Sequence, residues 1–369
     1  LIDRAFVWCA VSQAVATTLL FRDMPALINQ VGMILDVVGM YVLLRVSIAD
    51  EADARRAVQC LALIVAVFAV CMSIEQFARF NVFSLLGNMA TPELRAGAPR
   101  SQAAFAHSLL AGTFGATALP VFGFLWTKSR PGLAAIVGLI GATTMTIAAN
   151  SSTPLAAYAA GVMALILWPL RTRMRTVRWG VASAIALVAV LMKAPVWFII
   201  ARLDFTGSSS SWHRAALIDT CIKHFSDWWL IGVKDAGAWG YFMWDAQNQY
   251  VAIAQSGGLF PLLLFVAVIV FSFSRIGDAM KRVEDDRGAQ WRLWCLGAAV
   301  FANVVGFLGV NYFDQSRIGW ILLLATISAV TAPVLPATEL NQEAAVSSPM
   351  PTVAYAWPRA TRHRLRVRH

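Results

Sequence analysis

The sequence predicts an all-α fold, a polytopic transmembrane bundle of about ten helices with two long loops on its outer face. Composition, the recurrence of long apolar runs, and a one-sided distribution of basic residues carry that prediction. Apolar residues make up 59% of the 369, charged residues 14%, and the mean hydropathy is +0.64. That is too little charge to cover a water-soluble domain of this length. A bilayer core about 30 Å thick takes roughly 20 mostly apolar residues per span. Backbone groups there must pair internally, which leaves helices or a closed barrel. The runs here are unbroken and lack the two-residue alternation of barrel strands, which selects helices.

In order, the spans fall near 5–20, 25–44, 57–74, 109–126, 132–149, 155–170, 180–200, 251–273, 293–312 and 318–337. Several are short, so some helices are expected to extend into the interface or to be locally broken. The chain opens on Leu1 with no secretory signal pattern, so an initiating segment, with one or more further helices, is expected before it. Residues 1–337 form the bundle. The tail 338–369 ends in Arg362, Arg364, Arg366 and Arg368 and lacks the apolar content to fold alone, as befits a disordered cytoplasmic tail beside anionic lipid.

The loops 45–56, 127–131, 171–178 and 274–292, with the tail, hold 19 of the 30 Lys and Arg residues. The opposite loops hold nine, spread over much longer segments. By the bias of basic residues to the cytoplasmic side, the first set is cytoplasmic, with Arg171, Arg173, Arg175, Lys281 and Arg282 as its plainest anchors. The formal charge of +10 follows from this topology and does not call for nucleic acid. The five cysteines show neither a disulfide framework nor a metal spacing.

Loops 75–108 and 201–250 are then outer, and long loops in compact proteins are usually functional or disordered. The second carries Trp212, Trp228, Trp229, Trp239 and Trp244, residues that favour the headgroup level, so simple interfacial anchoring is one account of it. Ser208 to Ser211 can cap a helix beginning near Trp212, on which Ala215, Ile218, Ile222 and Phe225 form an apolar face. Arg214 falls at the edge of that face. A guanidinium aimed into protein or lipid needs a fixed anion, either a phosphate held by its planar fork or an internal carboxylate such as Asp219 or Asp245. Loop 75–108 supplies Arg95, Arg100 and His107 beside the next span, able to hold part of an anionic headgroup or simply solvated. Asp36 lies mid-span and Lys193 near an outer helix end; ionisable groups in a membrane are functional candidates by default. No metal set, phosphate loop, dinucleotide fingerprint or serine elbow occurs, and no cofactor is expected.

Four stretches together resemble the O-antigen ligase and polymerase superfamily, most closely its exopolysaccharide-type members. They are Trp212-His213-Arg214; Trp228-Trp229-Leu230-Ile231-Gly232-Val233; Asp245-Ala246-Gln247-Asn248-Gln249-Tyr250; and Gly257-Gly258-Leu259. Upstream, Arg100 to Ser108 followed by Gly112 resembles that family's Arg-x-x-Gly-x-Phe-x-His-Pro stretch, with Ala103 and Ser108 standing for its Gly and Pro. The likeness covers about residues 90–320.

The resemblance implies a multi-pass glycosyltransferase of the bacterial inner membrane, working without a metal on undecaprenyl-diphosphate-linked oligosaccharide, with membrane lipid and other polysaccharide-assembly proteins as partners. It implies that Arg100 and Arg214, with Arg95 alongside, bind the diphosphate and meet the charge that develops as it leaves. His107, Gln247, Asn248 and Tyr250 would then bind or position substrate. Gln247 stands where ligases carry His and cannot take a proton, so Asp245 or His213 is the candidate base. That departure favours a polymerase over a lipid-A-core ligase. A transporter or flippase for the same lipid, or an inactive assembly partner, are the rival functions, although no internal repeat of the transporter kind occurs.

Overall fold

The computed structural model describes residues 1–87, 93–95, 97–126, 132–202 and 210–332. The basic loop 127–131, Ser208, Ser209 and the tail 338–369 lie outside the described residues.

Each apolar run falls on a helix. Helices α1 (Ile2–Phe21), α2 (Met24–Ser47) and α3 (Glu51–Ala78) come first, then a hairpin of β1 (Glu93–Arg95) and β2 (Ala98–Arg100). There follow α4 (Ser108–Phe122), α5 (Leu133–Ala148), α6 (Ser152–Ile166), α7 (Met174–Leu191) and a short α8 (Ile199–Arg202). Next come α9 (Ser210–Lys223), the single turn α10 (Phe225–Trp228), α11 (Gln249–Gly257), α12 (Leu259–Arg282), α13 (Arg287–Gly306) and α14 (Asp314–Val330). Among the described residues, strand is confined to the hairpin, so the fold is all-α. Among the described residues, six helices are long and apolar enough to cross a membrane: α1, α2, α3, α4 with its 3-10 extension to Leu125, α7 with the preceding turn from Trp168, and α12.

Local sequence sets the ends. Asp23 accepts from the Ala26 N–H to start α2, Asp50 does the same for α3 through Asp53, and Asp286 serves Gly288 and Ala289 at the head of α13. Arg22 and Arg79 turn left-handed to close α1 and α3.

Several boundaries differ from the sequence expectation: α3 starts at 51 rather than 57, and α13 covers 287–306 rather than 293–312. The run 251–273 is two helices, broken at Gly258 (φ 82), where a Cβ would stand 2.7 Å from the Leu230 carbonyl oxygen. The seventh helix covers 174–191 rather than 180–200, because Pro195 and the extended backbone at Met192 end it; Arg175 and Arg178 are therefore helical, and Lys193 lies exposed beyond the helix. The last helix runs 314–330, earlier than 318–337.

Leu1–Thr331 packs as one unit around α4, which is buried on every side and contacts α5, α6, α13 and α14. Close approach needs small residues: a Cβ on Gly112 would lie 2.4 Å from the Ala149 Cβ. Many large apolar side chains of α2, α3, α7 and α12 face outward instead, Phe77 and Val190 among them. None of the α7 side chains is buried.

The connections sort to two ends. At one end Arg292 pairs with Glu51 at 2.8 Å, Arg171 donates to Gln290 and Arg282 to the Thr331 carbonyl. At the other, Ser101 N–H donates to Ala148 O, Gln249 N–H to Phe307 O, and Thr17 to Ser256 O. The described residues of segments 79–107 and 192–258 thus gather at the second end, opposite the described basic turns.

Candidate functional site

Helix α9 buries only part of the apolar face its spacing suggests: Ala215 is buried and Ile218 packs inward, but Ile222 and Phe225 are exposed. Leu217 and Cys221 pack with Trp228, Met243, Val251 and Ala254. The cause is α11, which lies against the Leu217–Cys221 side and offers it Val251 and Ala254. Arg214, one turn before Leu217, shares that inward face and is only 5% exposed. The Trp228 indole N–H donates to the Cys221 carbonyl at 2.7 Å and fixes the turn after α9. Burial pushes the Cys221 thiol up to about 12, so it is an inert packing group.

Next to Arg214 on the helix, His213 brings Nε2 to 3.5 Å from the Asp245 carbonyl oxygen. Gln247 donates from Nε2 to Oδ2 of Asp245 at 2.6 Å. The Gln247 amide therefore orients the Asp245 carboxylate. Asp219 is engaged elsewhere, by Lys223 at 2.7 Å and the Trp197 indole N–H at 3.3 Å.

Asn248 and Tyr250 have structural duties. Asn248 Oδ1 accepts from Tyr250 and Val251 N–H to cap α11, and its Nδ2 donates to Leu308 O. The Tyr250 hydroxyl donates to Val304 O, and its ring packs against Phe265 and Phe307. Both hold the site's frame rather than offering free polar atoms to substrate.

The second group of sequence candidates sits on segment 93–107. Arg100, on β2, pairs with Glu93 on β1 and is 15% exposed; Arg95 lies across the hairpin from Ala98. His107 is the exposed N-cap residue of α4 and makes no side-chain capping bond. Glu75, which the sequence reading passed over, anchors this segment: it is wholly buried and accepts the Gln102 and Ala103 N–H groups on Oε2. A lone Glu ending an otherwise apolar run, followed by a long loop, is the signal that could have found it.

His213, Asp245 and Gln247 thus meet at one corner, with Arg214 the next residue along α9. At a second, Arg95 and Arg100 share the hairpin, and His107 follows at the head of α4. Segment 307–315 bonds to residues next to each group: Phe307 O and Leu308 O accept from Gln249 and Asn248, and Gln315 Nε2 donates to Ala104 O. Among the described residues, no cluster of three His, Cys, Asp or Glu is placed to hold a metal.

Beside this corner, His224 stacks on Trp239 with centroids 5.2 Å apart, and its Nδ1 lies 3.0 Å from Asp227. The His224 bond holds the Asp227 carboxyl below its usual range despite some desolvation. Family models, curated proteins and solved structures were each compared with this chain, and none matches.

Proposed function

We propose that this chain is a multi-pass glycosyltransferase of the O-antigen polymerase and ligase type in a bacterial inner membrane. In this reading about ten helices cross the bilayer, and the end that gathers segments 79–107 and 192–258 faces outward. The enzyme moves glycan from a lipid diphosphate to a sugar hydroxyl.

The observation that carries the reading is the backbone at the two positions where this chain departs from the family's Arg-x-x-Gly-x-Phe-x-His-Pro stretch. Ala103, at the Gly position, takes φ 50, in the left-handed region that favours glycine. Ser108, at the Pro position, is the first residue of α4, where proline is favoured, and the preceding His107 is extended. The local geometry of that stretch suits the residues the family carries, even where this sequence has replaced them.

The chemistry follows from the same two corners. As the anomeric carbon–oxygen bond breaks, the electron pair leaves with the diphosphate, and fixed guanidinium groups stabilise that charge. Arg214 supplies one from α9. Arg100 supplies another by exchanging its exposed Glu93 partner for phosphate oxygens. Asp245, held by Gln247, accepts the proton of the attacking hydroxyl.

Gel analysis of surface glycan from cells lacking the protein tests this. Loss of long polymer with lipid-linked repeat units accumulating on the outer leaflet is the expected result. Accumulation on the inner leaflet would assign a flippase instead, and unchanged glycan would remove the transferase reading.

A further inference from the structure

Asp36 lies midway along α2 beside Leu35, whose side chain points outward. It opens onto a cavity of about 240 Å³ between α2 and α14, lined also by Asp314, Gln315 and Arg317 and closed by Val37 and Ile321. Arg317 carries five N–H donors. Its hydrogen-bond partner among the described residues is the Met33 thioether, 3.7 Å from Nη1, a weak acceptor. Asp36 on α2 lines the cavity with it and Asp314 stands three residues earlier on α14, yet neither forms an ion pair with it among the described residues. Gln315 donates from Nε2 to Ala104 O, while its Oε1 is buried with no hydrogen-bond partner among the described residues.

The cavity therefore sets the unserved donors of Arg317 beside two carboxylates, Asp36 from α2 and Asp314 from α14 itself. A lone phosphate would be repelled by the two acids. A simple cation would leave the guanidinium unmatched in a low-dielectric setting, which is costly. A molecule carrying both charges serves both groups.

We propose that this cavity binds a zwitterionic lipid headgroup with a phosphate diester and a primary ammonium, the phosphate on Arg317 and the ammonium between Asp36 and Asp314. Arg317 meets two phosphate oxygens with its planar fork. The ammonium supplies three N–H donors to acceptors that lack them. The acyl chains continue outward over Ile318, which lines the cavity and is 41% exposed. This assignment rests on bilayer embedding and is independent of glycosyl transfer.

The test uses the full chain in nanodiscs of equal phosphatidylethanolamine, phosphatidylcholine and phosphatidylglycerol. The protein is extracted in mild detergent and the retained lipid is counted by mass spectrometry. Phosphatidylethanolamine should be enriched about tenfold over the other two, the effect of one or two charge-assisted hydrogen bonds. Asp36→Asn should erase the preference for the primary amine over choline, and Arg317→Gln should lower retention of all three lipids. Equal retention by the unaltered protein, or a preference for phosphatidylglycerol, would overturn the assignment. Should Arg317→Gln fail to fold, the wild-type ranking and Asp36→Asn decide the matter alone.

Discussion

Glu75, near the end of α3, holds the backbone of Ala103: one carboxylate oxygen accepts the Ala103 N–H at 2.8 Å and the Gln102 N–H at 3.0 Å. Asn81 completes the clasp by donating to the Ala103 carbonyl at 2.9 Å. A non-glycine residue in the left-handed region costs about 1–2 kcal/mol, so this conformation persists because its surroundings impose it. Glu75→Ala leaves two buried N–H groups unpaired, at about 1–3 kcal/mol each. Its melting temperature in detergent should fall clearly below that of Glu75→Gln, which keeps one carbonyl acceptor. Equal melting of the two variants would show that the clasp contributes nothing.

Ser108→Pro should be tolerated. The substituted position opens α4, its N–H is one a helix start leaves unpaired, and His107 already has the backbone a proline demands. Stabilisation of roughly 0.4–1 kcal/mol is expected through a less flexible unfolded chain. Denaturant unfolding checks the sign, and a variant that fails to insert would contradict the assigned helix start.

For the proposed transferase, Arg214→Ala should lower the rate of glycan transfer by about 10²–10³, as for the loss of one charge-stabilising donor. Arg214→Lys should recover only part of it, since an ammonium cannot match a two-point fork. Purified protein with lipid-linked donor provides the assay. Asp245→Asn should lower the transfer rate by about 10²–10⁴, as for loss of a general base; an unchanged rate would clear Asp245 of the base role.

The Asp227 carboxyl is held below its ordinary value by His224, with Ser226 and the Trp239 indole N–H also donating to it. A depressed carboxyl stabilises the folded form at all pH values above its unfolded pKa, about 3.9. That contribution disappears as pH drops through the lower folded value. Trp239 fluorescence should therefore hold steady down to about pH 4 and change below it, and Asp227→Asn should abolish the step.

The helices were legible because apolar runs of bilayer length leave few alternatives, and Asp23, Asp50 and Asn248 mark helix starts as caps do. Less was legible about which way α9 faces. Its apolar residues spread around the helix, and only the neighbour α11 decides that Leu217 and Cys221 go inward. The break at Gly258 was hidden for a similar reason, since the run reads as apolar on both sides and the constraint comes from the distant Leu230 carbonyl. Of the candidate residues, His213, Asp245 and Gln247 meet, with Arg214 next along α9. Asn248, expected to bind or position substrate, caps α11. Glu75 and Arg317 escaped because their partners lie on segments far away in the chain.

Helix lengths here are unequal: α5 has 16 residues and α6 has 15, against 28 in α3 and 24 in α12. At 1.5 Å per residue, α5 spans about 24 Å, less than a hydrocarbon core of about 30 Å. In a bilayer, lipid beside α5 and α6 must compress to meet this shorter band, while lipid beside α3 stays at full depth or the helix tilts. The annulus is then thin beside α5 and α6 and thicker beside α3, which packs directly against α5. Thickness of the host membrane consequently becomes a variable that loads α5 and α6 before any other part of the molecule.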